Sequence, residues 1–194
     1  MEITYVTTNI GKVHSLQRAC DAHGWNVSQI ALDLPEPRSS DVVEIAKYKA
    51  EKAYYQIWKP VVVLDAGFYI PSLNGFPRAY VNFALETIGN EGILKLLEGK
   101  DRSCEFRECL AYHDGLPAPR TFLASVRGRI AEEPRGTMRP AFWSELALIY
   151  IPEGYDRTLA ELSNEEVEER RKGFTIEQSA ERQFVEWLAN RKVV

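Results

Sequence analysis

Apolar and polar residues follow one another in blocks that predict strands and helices in turn. An apolar run at residues 3–8 predicts a strand, and the residues after Asn9 place their apolar side chains on one helical face. Beyond Gly24, residues 25–32 again have the pattern of a strand. The chain therefore opens with a predicted strand, loop, helix and strand.

A longer amphipathic segment predicts a second helix, which Ser40 or Asp41 can cap and which runs to about Trp58. At about 100° per residue, Lys49 falls inside the apolar stripe of this helix. We therefore expect the Lys49 side chain to point into the protein. The alternative is that its ammonium group reaches back to the surface along the helix.

The continuous apolar run at residues 61–64 is typical of a strand that is buried on both faces. Asp65, Ala66 and Gly67 follow it, so we expect a carboxylate at the end of a core strand. Such a carboxylate loses solvation unless a cation or hydrogen-bond donors compensate. The alternative is that Asp65 only caps a turn at Gly67.

The second half of the chain is richer in strand patterns. Residues 81–97 predict helical stretches broken at Gly89 and Gly92, and residues 106–112 and 121–127 predict paired strands. The other predicted elements are extended chain near residues 146–151, a helix capped by Ser163 and Glu166, and a last helix with Ile176, Ala180, Phe184, Trp187 and Leu188 on one face. The order of elements predicts an α/β fold with a mixed sheet, in a single domain of residues 1–194.

Composition narrows the classes of protein to consider. The 194 residues are 45% hydrophobic and 27% charged, which is typical of one soluble globular core. A net charge of -4 gives no general attraction to a nucleic acid polymer or a membrane surface, and no window approaches the apolar length of a membrane span. Cys20, Cys104 and Cys109 are an odd number without C-x-x-C spacing, so we expect reduced thiols and a cytoplasmic protein.

The segment Thr7-Thr8-Asn9-Ile10-Gly11-Lys12 is the first candidate for chemistry. It places hydroxyls, an amide, a flexible glycine and a cation at a strand-to-helix junction, where the helix dipole favours an anion such as phosphate. It lacks the G-x-x-x-x-G-K-[ST] pattern of a P-loop. A plain capped turn is the alternative interpretation.

Glu36 and the charge run at residues 165–172 are less distinctive. Pro35 and Pro37 exclude a helix around Glu36, so this acid lies on a loop. The charge run is most simply a solvated helix face, although its basic residues could reach a ligand.

Several short motifs run in order along nearly the whole chain. They are Thr7-Thr8-Asn9-Ile10-Gly11-Lys12, Asp33-Leu34-Pro35-Glu36, Lys49-Ala50, Asp65-x-Gly67, Leu73-Asn74-Gly75-Phe76-Pro77-x-x-Tyr80, Gly128-Arg129-Ile130, Pro134-Arg135-Gly136 and Ile151-Pro152-Glu153-Gly154-Tyr155. In this order and spacing they resemble the inosine triphosphate pyrophosphatase family. Its members hydrolyse deaminated purine nucleoside triphosphates to the monophosphate and pyrophosphate.

The resemblance implies an elongated α/β domain with a central nucleotide-binding cleft, magnesium as cofactor and a homodimer. The residues that it implies for binding the triphosphate are Thr7, Thr8, Asn9, Lys12 and Lys49. Glu36 and Asp65 would be the magnesium ligands, and Asp65 and Lys49 the catalytic residues. In that role Asp65 would orient or deprotonate the attacking water, and pyrophosphate would leave.

The sequence also departs from the family. Leu64 stands where members usually carry a second acid, Ala66 replaces a small polar residue, and the Ser-His-Arg element that reads the base is absent. The loose counterparts at the base end are Phe142, Trp143, Glu145, Arg170 and Arg171. We therefore hypothesise that the protein selects a different base or selects less strictly. The alternatives are a catalytically weak nucleotide-binding relative that acts as a binding or partner-interaction module, and a hydrolase for another diphosphate-containing small molecule.

Overall fold

A computed structural model describes residues 1–140 and 142–191 and contains a seven-stranded sheet. The strands are β1 (Glu2–Val6), β2 (Asn26–Ile30), β3 (Val61–Tyr69), β4 (Pro77–Arg78), β5 (Ser103–His113), β6 (Arg120–Ile130) and β7 (Tyr150–Pro152). Their order is β2-β1-β3-β5-β6-β7, with β4 paired to β3 outside this path. Parallel pairing of β1 with β2 and β3, and antiparallel pairing of β6 with β7, confirm the predicted mixed sheet.

Residues 1–140 and 142–191 also form six α-helices and four short 3-10 helices. The α-helices are α1 (Ile10–Asp21), α2 (Val42–Ile57), α3 (Val81–Thr87), α4 (Gly89–Leu96), α5 (Asn164–Lys172) and α6 (Ala180–Asn190). The 3-10 helices are Pro71–Leu73, Glu145–Leu148, Leu159–Glu161 and Ile176–Gln178. None of the helices in this part of the chain is both long and apolar enough to cross a membrane.

The chain forms two compact units. The first consists of residues 1–66, 108–124 and the chain from residue 176 onward, and the second of residues 67–107 and 125–175. Strands β3, β5 and β6 each contribute residues to both units. That residues 1–194 fold as a single domain stays a prediction.

The core of the first unit lies where α1 and α6 pack together. Leu16 and Phe184, both with 0% exposure, come from these two helices and pack with Leu64 of β3 and Leu110 of β5. Each fully buried aliphatic or aromatic side chain contributes about 1.5–3 kcal/mol to stability. The predicted helical face after Asn9 is thereby confirmed as a core face.

Pairing within the first unit positions the functional residues. Thr4 and Tyr5 of β1 lie beside Val61 and Val62 of β3 in a parallel ladder. The carboxyl ends of parallel strands meet at the same edge of a sheet. The loop after β1 and residues 64–66 of β3 are therefore close together.

The second unit has hydrophobic clusters of its own. Phe68 and Ile70 pack with Ile93, Ile130 and Tyr150 in one of them. A smaller cluster contains Phe142, Ala147, Ala160, Leu162 and Val167.

Helix boundaries agree with the sequence at some ends and differ at others. Asp41 caps α2, because its carboxylate accepts a hydrogen bond of 2.8 Å from Val43 N. The predicted break at Gly89 is confirmed, but the break at Gly92 is wrong because Gly92 lies inside α4. The last helix starts at Ala180, so Ile176 belongs to the preceding 3-10 helix rather than to α6.

Candidate functional site

The loop of residues 7–12, called the phosphate loop below, connects β1 to α1. Asn9 caps the helix: its Oδ1 accepts hydrogen bonds of 2.8 Å from Gly11 N and 3.3 Å from Lys12 N. Thr7 Oγ1 accepts a hydrogen bond of 3.1 Å from Asn9 N, and Thr8 is exposed. The capped turn, which was the alternative interpretation of this segment, is present. Phosphate binding by the same loop stays a prediction.

Lys12 extends from the first turn of α1 toward β3. Its ammonium group donates a hydrogen bond of 2.9 Å to the backbone carbonyl of Leu64. Burial lowers the pKa of this ammonium group, while the nearby carboxylate of Asp65 acts in the opposite direction. Lys12 is thus held next to Asp65 by a backbone contact.

Lys49 points inward from α2, as the periodicity of the helix predicts. Its Nζ lies 2.7 Å from Glu36 Oε1 and 3.6 Å from Asp65 Oδ1. The Lys49 side chain is 19% exposed and that of Asp65 is 12% exposed. The alternative, in which Lys49 reaches back to the surface, is therefore wrong.

Asp65 lies in the middle of β3, and not at the end of a strand as the sequence suggested. The strand continues through Ala66 and Gly67 to Tyr69, so the turn at Gly67 is also wrong. A Cβ atom on Gly67 would lie 2.7 Å from the carbonyl oxygen of Arg78, which explains a glycine inside a strand. The glycine that looked like a turn signal instead permits a close backbone approach.

The environment of Asp65 suits a proton acceptor. Burial raises the pKa of the Asp65 carboxyl, and the positive charges of Lys49 and Lys12 partly oppose this. Glu36 adds a smaller contribution that raises the pKa further. A carboxylate with a raised pKa accepts a proton more readily than one in water.

Glu36 and Asp65 can be tested as a metal-binding pair. Both carboxylates contact the same Lys49 ammonium group, so both can reach a single cation. Within residues 1–140 and 142–191, no three His, Cys, Asp or Glu side chains are grouped around a possible metal position. Magnesium needs only one or two protein carboxylates when water and phosphate oxygens complete its coordination. The donor set therefore fits a magnesium ion that is shared with a phosphate substrate.

The sequence candidates for the base belong to the second unit. Phe142 is only 9% exposed, packs in the smaller cluster and carries the Arg139 guanidinium 4.6 Å above its ring. Trp143 is 51% exposed and makes an edge contact with Phe106, with ring centroids 5.5 Å apart. Trp143 therefore offers an exposed aromatic surface, whereas Phe142 packs in the core.

The polar candidates for base binding are Glu145, Arg170 and Arg171. Glu145 is exposed, and its backbone carbonyl accepts a hydrogen bond of 2.9 Å from Asn90 Nδ2. Arg170 donates a hydrogen bond of 3.3 Å to Tyr150 Oη, and Arg171 pairs with Glu168 at 2.7 Å. Contacts within the second unit thus hold Arg170 and Arg171, and their part in base binding stays a prediction.

Sequence reasoning missed two acids of the first unit. The negative charges of Glu108 on β5 and Glu181 in the first turn of α6 both act to raise the pKa of the Lys12 ammonium group. Glu181 is only 6% exposed. Its spacing from Phe184, Val185 and Leu188 places it in an apolar stripe, which is the signal that could have identified it.

Comparison with known proteins identifies the family to which these residues belong. The model of the Ham1 family matches residues 3–186, which is most of the chain. The chain belongs to the Ham1 family. The family resemblance that the sequence motifs indicated is thereby confirmed.

Relatives within the Ham1 family match nearly end to end. The dITP/XTP pyrophosphatase of Methanopyrus kandleri is 43% identical over 191 residues, covering 98% of this chain and 97% of that protein. Inosine triphosphate pyrophosphatase 2 of Trypanosoma cruzi is 37% identical over 168 residues, covering 85% and 83% respectively. The solved HAM1 protein of Coxiella burnetii is 24% identical, with a TM-score of 0.79 over 98% of this chain and 100% of that one. This similarity shows that the α/β fold of the chain is the fold of the HAM1 protein.

Proposed function

We propose that this protein hydrolyses a deaminated purine nucleoside triphosphate, such as dITP or XTP, to the monophosphate and pyrophosphate. The observation that carries the proposal is the grouping of two lysines around a buried carboxylate in a Ham1 family member. Lys49 lies 3.6 Å from Asp65, and Lys12 is bonded to the carbonyl of the preceding residue. The names of the relatives support the substrate class.

Each charged group has a part in the hydrolysis. Asp65 accepts a proton from a water molecule, whose oxygen attacks the α-phosphorus. The bond from the α-phosphorus to the bridging oxygen then breaks, and its electron pair leaves with pyrophosphate. Lys12 and Lys49 stabilise the negative charge that develops on the phosphate oxygens.

Magnesium is the cofactor that we propose, with Glu36 and Asp65 as its ligands. When bound, the ion would supply charge neutralisation to the phosphate oxygens. Lys49 contacts both carboxylates, so it holds the two proposed ligands within reach of one cation. Pyrophosphate release should stop in excess chelator and return when magnesium is restored, and persistence in chelator would refute the magnesium role.

Base selection is tested with a panel of nucleoside triphosphates. Pyrophosphate release from dITP, XTP and ITP should exceed that from the four standard deoxynucleoside triphosphates. A preference for another base would instead support the altered selection that the missing Ser-His-Arg element suggested. Trp143→Ala should raise KM for the preferred base if the exposed indole stacks on it.

The Asp65→Asn variant separates an enzyme from a binding module. The substitution keeps the size of the side chain but removes the proton acceptor, so pyrophosphate release should fall by about 1,000-fold or more while nucleotide still binds. Asp21→Asn, the same change at an exposed aspartate at the end of α1, serves as a folding control. A wild type that binds nucleotides but hydrolyses no triphosphate would favour the binding module.

We also propose a homodimer in the cytoplasm that acts on free nucleotides rather than on nucleic acid. The support is the family resemblance, the net charge of -4 and three buried free cysteines. Light scattering coupled to gel filtration tests the dimer, and a mass equal to one chain would contradict it.

A further inference from the structure

A buried asparagine of α4 holds the segment that carries Trp143. Asn90 is 8% exposed, and its Nδ2 donates a hydrogen bond of 2.9 Å to the backbone carbonyl of Glu145. The two residues are 55 positions apart in the chain, so this contact connects α4 to the 3-10 helix Glu145–Leu148. Because Glu145 follows closely after Trp143, the hydrogen bond fixes the backbone next to the exposed indole.

The other half of the Asn90 amide shows that packing alone does not explain this side chain. Its Oδ1 is buried and has no hydrogen-bond partner in the part of the chain that the structure describes. A buried polar atom without a partner destabilises a protein, whereas a leucine would place as many side-chain heavy atoms there without that cost. What asparagine supplies and leucine lacks is the donor that bonds to Glu145.

Two further contacts hold the same segment. The Trp143 ring meets Phe106 edge-on, with ring centroids 5.5 Å apart and an interplanar angle of 71°. Phe106 is itself packed against Phe68 and Tyr150, at centroid distances of 4.7 Å and 4.8 Å. The side chain of Ser144 caps the 3-10 helix that follows. One side of the indole is thus packed against aromatic rings, while 51% of Trp143 stays exposed.

An indole that is held in this way suits the stacking of a purine base. Every base has a flat aromatic face, and stacking on an aromatic side chain is a common source of affinity for nucleotides. A side chain that is already fixed loses little conformational freedom when the base stacks on it, so more of the stacking free energy appears as affinity. Without the hydrogen bond from Asn90, the backbone beside Trp143 would have more freedom, and binding would have to order it.

We propose that Asn90 is a positioning residue that acts through Trp143: its hydrogen bond to the Glu145 carbonyl holds the exposed indole in place for stacking on the purine base. The inference rests on the proposed function, because it takes a purine nucleotide to be the substrate. It deepens that function by giving a buried residue of α4 a part in base binding.

Asn90→Ala tests the inference, because it removes the donor together with the unpartnered Oδ1 atom and leaves no buried polar group at this position. Asn82→Ala is the matched control, since Asn82 is exposed and, like Asn90, is the second residue of its helix. Asn90→Leu is a second variant that fills the space of the amide. Urea denaturation establishes that each variant is folded.

Three measurements separate base binding from phosphate binding. Steady-state kinetics with dITP and magnesium give kcat and KM. Calorimetry gives a Kd for dIMP, which has the base, and a Kd for inorganic pyrophosphate with magnesium, which lacks it. Trp143→Ala and the double variant with Asn90→Ala complete a double-mutant cycle, which measures whether Asn90 acts through Trp143.

Asn90→Ala should raise the KM for dITP and the Kd for dIMP by about three- to tenfold, and Asn90→Leu should do the same. The kcat and the pyrophosphate Kd should change by less than about twofold, because the phosphate end of the site is not altered. Asn82→Ala should match the wild type. When Trp143 is already replaced by alanine, Asn90→Ala should change KM by less than about twofold, since the ring that it positions is gone.

Three results would overturn the inference: an unchanged KM in both Asn90 variants, an equal rise in KM with and without Trp143, or a pyrophosphate Kd that rises as much as KM. A wild type that binds dIMP but hydrolyses no triphosphate would contradict the proposed function alone, because calorimetry with dIMP still completes the cycle. A wild type that binds no dIMP would contradict base binding at Trp143 and the inference with it.

Discussion

Lys12 Nζ donates a hydrogen bond of 2.9 Å to the backbone carbonyl of Leu64, the residue that precedes Asp65 in β3. The backbone of a core strand thus fixes a cation of the phosphate loop. This hydrogen bond does not involve the apolar Leu64 side chain, which packs in the core.

Replacement of Lys12 by methionine should reduce kcat/KM for the preferred triphosphate by about 10- to 100-fold, because the proposed charge-assisted contact to phosphate would be lost. Methionine retains the length of the side chain, so packing changes little. Arg18→Ala removes an exposed cation from the same helix and should leave the kinetics unchanged. Unchanged kinetics in Lys12→Met would remove Lys12 from the proposed site.

Lys49→Ala should also impair hydrolysis, because it removes the cation that contacts both Glu36 and Asp65. The pair with Glu36 should contribute no more than about 1 kcal/mol to stability, since the Glu36 side chain is 59% exposed. The control is Lys47→Ala, an exposed lysine on the same helix. Equal kcat/KM in the two variants would argue against a role for Lys49 in catalysis.

Tyr5→Phe should leave the free energy of unfolding unchanged or raise it by up to about 1 kcal/mol. The substitution removes a buried hydroxyl that has no partner among the described residues, and it keeps the ring in the core. Urea denaturation measures the difference. A loss of more than about 1 kcal/mol would mean that the hydroxyl makes a stabilising contact, for example to buried water.

The three cysteines should resist alkylation in the native protein. Cys20, Cys104 and Cys109 are buried, and burial raises the pKa of Cys20 to about 11 and that of Cys109 to about 12. Because the thiolate is the reactive form, raising the pH from 7 to 9 should not accelerate modification as it does for an exposed thiol. Mass spectrometry after iodoacetamide treatment, with and without urea, measures this. Rapid labelling without urea would show that at least one thiol is accessible.

Local patterns predicted those parts of the site that depend on local geometry. Helical periodicity placed Lys49 inward because side chains repeat at fixed angles around a helix. The contact from Lys12 to Leu64 could not be predicted in this way, because it needs the register of β1 against β3. The sequence identified Asp65 but not the full extent of its strand, because Gly67 has the pattern of a turn. Here the residue is a glycine because the backbone of Arg78 approaches too closely for a Cβ atom.

The first unit is built from three separated stretches of chain, and this determines when it can fold. Helix α1 is made well before the helix that packs against it, α6, which consists of residues 180–190. Until α6 leaves the ribosome, Leu16 and Val13 lack the Phe184 side chain that completes their cluster. We expect the nascent chain to be prone to aggregation until residues 180–190 have emerged, since exposed core surface favours aggregation.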